Sequence, residues 1–134
     1  MSATFLQGRE GEGLAMYIFV NTDLGMNKGR AAAQVGHIVQ KITEEVVRSG
    51  YEDMLSIPSE KDKYYMNEYQ YYQRWNNGVI CVLRATAQEM VALRNLPRAR
   101  YFIDNGELTV IGFPPGITVV RPDMSDLIKK FKLY

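Results

Sequence analysis

One stretch of this chain concentrates residues able to handle an anion. Thr22-Asp23-Leu24-Gly25-Met26-Asn27-Lys28-Gly29-Arg30 follows a compact apolar run and precedes a long amphipathic segment. A helix that starts there presents unpaired N–H groups and a partial positive charge. Lys28 and Arg30 add two full charges. Such a place suits a phosphate, a carboxylate or a developing oxyanion. It is not a phosphate loop, because the glycine and Lys-Ser/Thr spacing of that motif is missing. A solvated basic helix start satisfies the same pattern. The sole histidine, His37, lies further along the same segment. A histidine can act as a base at neutral pH, and it would serve equally as a structural side chain. Asp104 closes a strand candidate and opens Asp104-Asn105-Gly106. Ligands gather at the carboxyl ends of strands in α/β sheets, so this carboxylate is a candidate base or water-orienting group. Asp-Asn-Gly is also ordinary turn chemistry.

The elements that must position these groups can be read from pattern. Met16–Val20 is a strand candidate, and a helix is expected from Asn27 to Ser49, with Gly50 as its stop signal. Val35, Ile38, Val39, Ile42 and Val46 form its apolar stripe, with Arg30, Gln34, His37 and Lys41 expected on the opposite side. A second helix is expected to open at Ser59–Asp62 and run to Trp75. It carries Tyr64, Tyr65, Tyr69, Tyr71, Tyr72 and Trp75, which can stack on unpaired bases but more often pack a core. Val79–Leu83 is a second strand. Thr86 caps the helix that follows, with Glu89 completing a capping box. Arg100–Ile103 is a third strand, Leu108–Ile111 a short extension and Ile117–Val120 a fourth strand. Asp123 or Ser125 is expected to cap a closing helix through Phe131, with Lys129, Lys130 and Lys132 as a solvated helix end. Strands alternating with helices imply an α/β fold with at least one parallel pair.

Composition sets the limits. A chain of 134 residues, 46% hydrophobic and 23% charged, suits one domain with an ordinary core. Residues 1–15 read as a flexible tail and residues 16–134 as the domain. The net charge of +1 argues for nucleic acid only if the cations cluster on one face. One cysteine, Cys81, excludes an internal disulfide framework and fits a reducing compartment. No apolar run approaches the roughly 18–20 residues that span a bilayer. No Cys/His/Asp cluster has metal-ligand spacing.

The order of these pieces resembles the type 2 peptidyl-tRNA hydrolases over about nine-tenths of the chain. The run from Asn21 to Arg30, continuing Ala31-Ala32-Ala33-Gln34-Val35-Gly36-His37, looks like the N-terminal signature of that family. Gln73-Arg74-Trp75 before a turn and an apolar strand, Asp104-x-Gly with a threonine after it, and Pro115-Gly116 before Thr118 continue the pattern to Lys132-Leu133-Tyr134. The resemblance implies a single-domain α/β fold, a mixed four-stranded sheet flanked by helices on both faces. It implies hydrolysis of the ester between a peptide and the 3′ end of tRNA, in the cytoplasm, without metal or cofactor. Carried over, the catalytic set is Lys28, Asp104, Thr109 and Thr118, with His37 in support. Arg30, Gln34 and Lys41 are expected to bind the tRNA acceptor end. Arg30 stands where the family usually has lysine, which keeps the charge but removes a proton shuttle. The segment between Asp104 and Thr109 is one residue longer than the pattern, and that from Tyr51 to Tyr72 is longer too. A non-catalytic tRNA- or protein-binding member of the same fold is the alternative reading. A general carboxylester hydrolase is a weaker third reading, because this chain lacks the Gly-x-Ser-x-Gly elbow of the common ester hydrolases. The sequence leaves open whether the chain acts alone or as a homodimer.

Overall fold

Alternating apolar residues build the sheet, and a helical stripe covers one of its faces. The computed structural model describes residues 14–54 and 68–134. The strands are β1 (Met16–Asn21), β2 (Ile80–Ala85), β3 (Arg100–Asp104) and β4 (Glu107–Phe113). They form one mixed sheet in the order β2-β1-β4-β3. β1 and β2 are parallel, while β4 runs antiparallel to both β1 and β3. The helices are α1 (Lys28–Met54), α2 (Glu68–Trp75), α3 (Ala87–Arg94), α4 (Ile117–Val120) and α5 (Pro122–Ile128).

The alternation along β1 separates two cores. Met16, Ile18 and Val20 point to one face, where Ile38, Ile42 and Val46 of α1 and Trp75 of α2 meet them. Phe19 points to the other, where Met90 and Leu93 of α3, Ile117 of α4 and Met124 and Ile128 of α5 close over it. Helices therefore cover both faces, as the resemblance implied. Each fully buried isoleucine stabilises the fold by about 1.5–3 kcal/mol. Gly112 sets how closely α1 approaches, since a Cβ there would lie 2.6 Å from Ile42 and 2.9 Å from Ile18. Of the expected tail, residues 1–13 lie outside the described residues; Leu14 and Ala15 are buried. The expected opening of the second helix, with Tyr64 and Tyr65, also lies outside them. Tyr69, Tyr71 and Tyr72 pack against the α1-side core.

Four expectations need correction. Ile117–Val120 is not the fourth strand but a single helical turn, in which Gly116 O accepts from Val120 N and Ile117 O from Arg121 N. An apolar run of four carries too little periodicity to separate strand from buried helix. The sheet position is taken by Glu107–Phe113, of which only the middle had been read as extended. Gly50 does not stop α1, which continues to Met54. A Cβ at Gly50 would run into the Tyr69 side chain, so the glycine admits α2 alongside α1. Neither Asp123 nor Ser125 caps α5; Arg121 occupies the cap without a side-chain bond, and Pro122 opens the helix. Finally, the polar row of α1 is not opposite its apolar stripe. At 100° per residue the two rows are centred only about 125° apart, so they lie side by side. The row faces β3, and Gln34 is 4% exposed.

Both edges of the sheet differ from a bare strand. Beside β2, Lys132 O accepts from Arg84 N at 2.8 Å and Tyr134 N donates to Val82 O at 2.9 Å. Beside β3, Lys41 Nζ donates to Tyr101 O at 2.9 Å and lies 5.1 Å from the centre of that tyrosine's ring.

Candidate active site

The chemistry-bearing residues meet where β1 ends, α1 begins and the β3–β4 hairpin turns. Asn27 starts the helix, its Oδ1 accepting from Arg30 N at 2.8 Å. That bond places Lys28 and Arg30 in the first turn. The Lys28 side chain is exposed and makes no hydrogen bond or ion pair among the described residues. Arg30 leans to the hairpin. Its Nη2 donates to Asp104 Oδ2 at 3.2 Å and to Glu107 Oε1 at 3.3 Å. Asn105 and Gly106, both at positive φ, make the two-residue turn that sets Asp104 directly across from Glu107. Two carboxylates facing each other across strands repel. Arg30 between them offsets that repulsion, and Glu107 first, then Asp104, hold its proton more firmly than usual against the opposing effect of burial.

One nitrogen of Arg30 serves both carboxylates. A guanidinium carries five N–H bonds. Among the described residues those on Nε and Nη1 have no protein partner and stay available to an anion, and the Arg30 side chain is 33% exposed.

Below this pair the site is closed. Gln34 Nε2 donates to Asp104 Oδ2 at 3.2 Å, and Gln34 Oε1 accepts from Thr109 Oγ1 at 2.7 Å. A β-bulge brings Thr109 there. Phe102 pairs with Val110 but the next residue, Ile103, pairs with Leu108, which leaves Thr109 as an extra residue. Leu108 then faces the α3 side, while Thr109 and Val110 in succession both face α1. Where the β1–β4 ladder lapses, the Asn21 amide closes it, donating to Leu108 O at 3.0 Å.

Not every expected site residue joins this cluster. His37 is exposed and stacks on Phe102, ring centres 4.9 Å apart. Phe102 precedes Asp104 by two residues on the same face, about 7 Å along the strand. Lys41 reaches Tyr101, about 10 Å back along β3 from Asp104. Thr118 sits on α4, after the far end of β4, and β4 separates that end from Glu107 by about 20 Å. Asp23 turns away too, with its Oδ2 accepting from Ala87 N at 2.8 Å to support the start of α3 beside the Thr86 capping box. Burial pushes the Cys81 thiol up, so it stays protonated among its apolar neighbours.

Sequence reasoning missed Glu107 and Phe102. The first had a signal. Asn105-Gly106 favours a two-residue hairpin, and that turn forces Asp104 opposite Glu107. Among the described residues, no three His, Cys, Asp or Glu side chains group so as to hold a metal ion, and no helix is long and apolar enough to cross a membrane.

An open mixed sheet with a polar cluster at the carboxyl ends of β1 and β3 is the usual place for a ligand in α/β proteins. The model of the family described as peptidyl-tRNA hydrolase PTH2 matches residues 14–134, and the chain belongs to that family. No curated protein matches it.

Proposed function

We propose that this protein hydrolyses the ester joining a peptide to the 3′ end of tRNA, releasing peptide and free tRNA for reuse in translation, and that it works in the cytoplasm. Family membership supports the substrate. The observation that carries the chemistry is Asp104: its Oδ2 accepts from both Arg30 and Gln34, while Oδ1 accepts from neither. One carboxylate oxygen is thus anchored and the other is available to a water. At 36% side-chain exposure Asp104 is open to solvent and substrate.

The proposed division of labour follows. The Nε and Nη1 N–H bonds of Arg30, the ammonium of Lys28 and the start of α1 receive the terminal phosphate or the oxyanion that forms on the ester carbonyl. Asp104 Oδ1 orients the attacking water. His37, stacked on Phe102, supports the site from the helix. Lys41 has donors beyond the one on Tyr101 O and can meet the tRNA backbone further along β3. Thr118 has no part in this reading. An ester has a good leaving group, so positioning and oxyanion stabilisation can carry the reaction. No covalent intermediate, metal or cofactor is needed for the steps as drawn.

The test is release of blocked amino acid from N-acetylaminoacyl-tRNA, wild type beside Lys28→Ala, with chelator present. Turnover that persists in chelator and falls in the variant is expected. One observation favours a second reading, a non-catalytic tRNA binder: Arg30 cannot shuttle a proton as lysine could. Folded protein that binds tRNA without turnover would establish that reading instead, and Arg30→Lys would then be the variant in which to look for activity.

A further inference from the structure

Thr109 lies beneath the site rather than in it. The residue is 0% exposed, and Gln34 above it is 4% exposed, so neither reaches a substrate held at the surface. Their bonds nonetheless decide how Asp104 is presented. A hydroxyl has one hydrogen to give. Thr109 Oγ1 lies 2.7 Å from Gln34 Oε1 and 3.2 Å from Phe102 O. The shorter contact takes the hydrogen. A primary amide can be turned end for end, exchanging its donor for its acceptor. The Asp104 carboxylate has no hydrogen and draws Nε2 to its Oδ2 at 3.2 Å, while the hydroxyl's hydrogen on Oε1 holds the amide that way round. The reversed amide would set oxygen against oxygen.

We propose that Thr109 and Gln34 are a positioning pair for Asp104: the hydroxyl orients the amide, the amide and Arg30 together hold Oδ2, and Oδ1 is thereby aimed at the water. The pair rests on the reading of Asp104 as the water-orienting group. In the hydrolysis an O–H bond of water breaks as its oxygen bonds to the ester carbonyl carbon, and the proton passes to Asp104 Oδ1. The ester C–O bond then breaks and the departing ribose oxygen takes that proton, restoring the carboxylate. Oδ2 keeps both donors throughout, so nothing in the pair rearranges. The charged groups that meet Asp104 are Arg30 from α1 and, through Arg30, Glu107 from β4.

The experiment compares Thr109→Val, Thr109→Ser and Gln34→Glu with wild type in steady-state hydrolysis of N-acetylaminoacyl-tRNA across pH. In Thr109→Val, kcat should fall about tenfold or more with KM within roughly twofold of wild type. Thr109→Ser should recover most of that loss, because the hydroxyl and not the methyl is at issue. Gln34→Glu sets a carboxylate against Asp104, and two like charges sharing a site raise a pKa. The acid limb of its kcat profile should move up by about one pH unit or more. Wild-type kcat in Thr109→Val, failure of serine to restore it, or an unmoved acid limb in Gln34→Glu would each overturn the pair. A carboxyl-carbon NMR titration of Asp104, assigned by its loss in Asp104→Asn, gives an answer independent of turnover. If wild type proves inactive, the hydrolase reading fails, but Gln34→Glu must still raise the Asp104 midpoint; an unchanged midpoint sinks the pair in either case.

Discussion

Two arginines on the α1 side of the sheet each bridge two carboxylates, and they do so differently. Arg100 uses Nε on Glu45, Nη1 on Glu68 and on Arg98 O, and Nη2 on Glu68. Its side chain is 16% exposed, and it ties β3 to α1 and α2. Arg30 holds Asp104 and Glu107 through Nη2, and among the described residues the rest of its fork has no partner. In Arg100 nearly every donor is committed inside the protein. In Arg30 the internal bonds only hold the guanidinium in place. The difference is between a group that fastens elements together and one that keeps bonding capacity for something else.

The largest effect should come from the open cluster. Asp104→Asn is expected to lower kcat about a hundredfold or more, the usual scale for removing an acid–base group. tRNA affinity should stay near wild type. Full activity in this variant would refute the role given to Asp104 and reduce the Arg30 cluster to a surface contact. Next comes the closed cluster. Arg100→Met strands two carboxylates near each other and should cost about 2 kcal/mol, below the range for fully buried pairs because Glu45 remains partly solvated. The thermal midpoint should drop by roughly 6–8 °C. Turnover of the folded fraction should hold; a matching loss of kcat would erase the distinction drawn between the two arginines.

A smaller effect is expected at Lys28, whose side chain has no bond to lose among the described residues. Lys28→Ala should weaken tRNA binding with no change in melting temperature. The dependence of log K on log salt should become shallower by about one. An unaltered slope would place Lys28 outside the RNA contact. The least effect belongs to a third arginine. Arg121 grips exposed Asp123 by a two-point contact, at 3.2 and 2.9 Å, and holds that carboxyl below its ordinary 3.8. A lowered carboxyl adds stability above its unfolded pKa and loses it as pH falls through the folded one. Arg121→Gln should therefore raise the Asp123 NMR midpoint toward 3.8 and, because the pair is exposed and screened, lower neutral-pH melting only slightly. A large drop in melting at pH 7 would show that exposure alone does not separate the three arginines.

The closed cluster was not legible in the sequence, and the open one was legible in part. β1, α1 and the Thr86–Glu89 capping box announce themselves through local pattern, and the structure has all three. Lys28, Arg30 and Asp104 stand out by residue type at element ends. What pattern could not give was sidedness. Gln34 reads as a surface residue because glutamine usually is one, yet it continues the row that ends in Ile38 and Ile42 and is buried with them. Thr109 reads as one more alternating strand residue, and the bulge reverses its face. Arg100 pairs with Glu45 and Glu68, which lie 55 and 32 positions away, and no spacing rule reaches that far. Ile117–Val120 misleads because β-branched residues favour strands, whereas β1 already has β2 on one side and β4 on the other.

The bulge at Thr109 also bears on how this protein could be made sturdier. Deleting one residue from β4 would restore an unbroken ladder against β3, and the backbone would gain pairing that it now lacks. The same deletion would swing the buried hydroxyl to the other face and leave the Gln34 amide unoriented. Selection for heat resistance alone would favour the repaired strand; on the role proposed for Asp104, selection for turnover would preserve the irregular one. On that reading the flaw in the sheet is a place where robustness and activity pull in opposite directions.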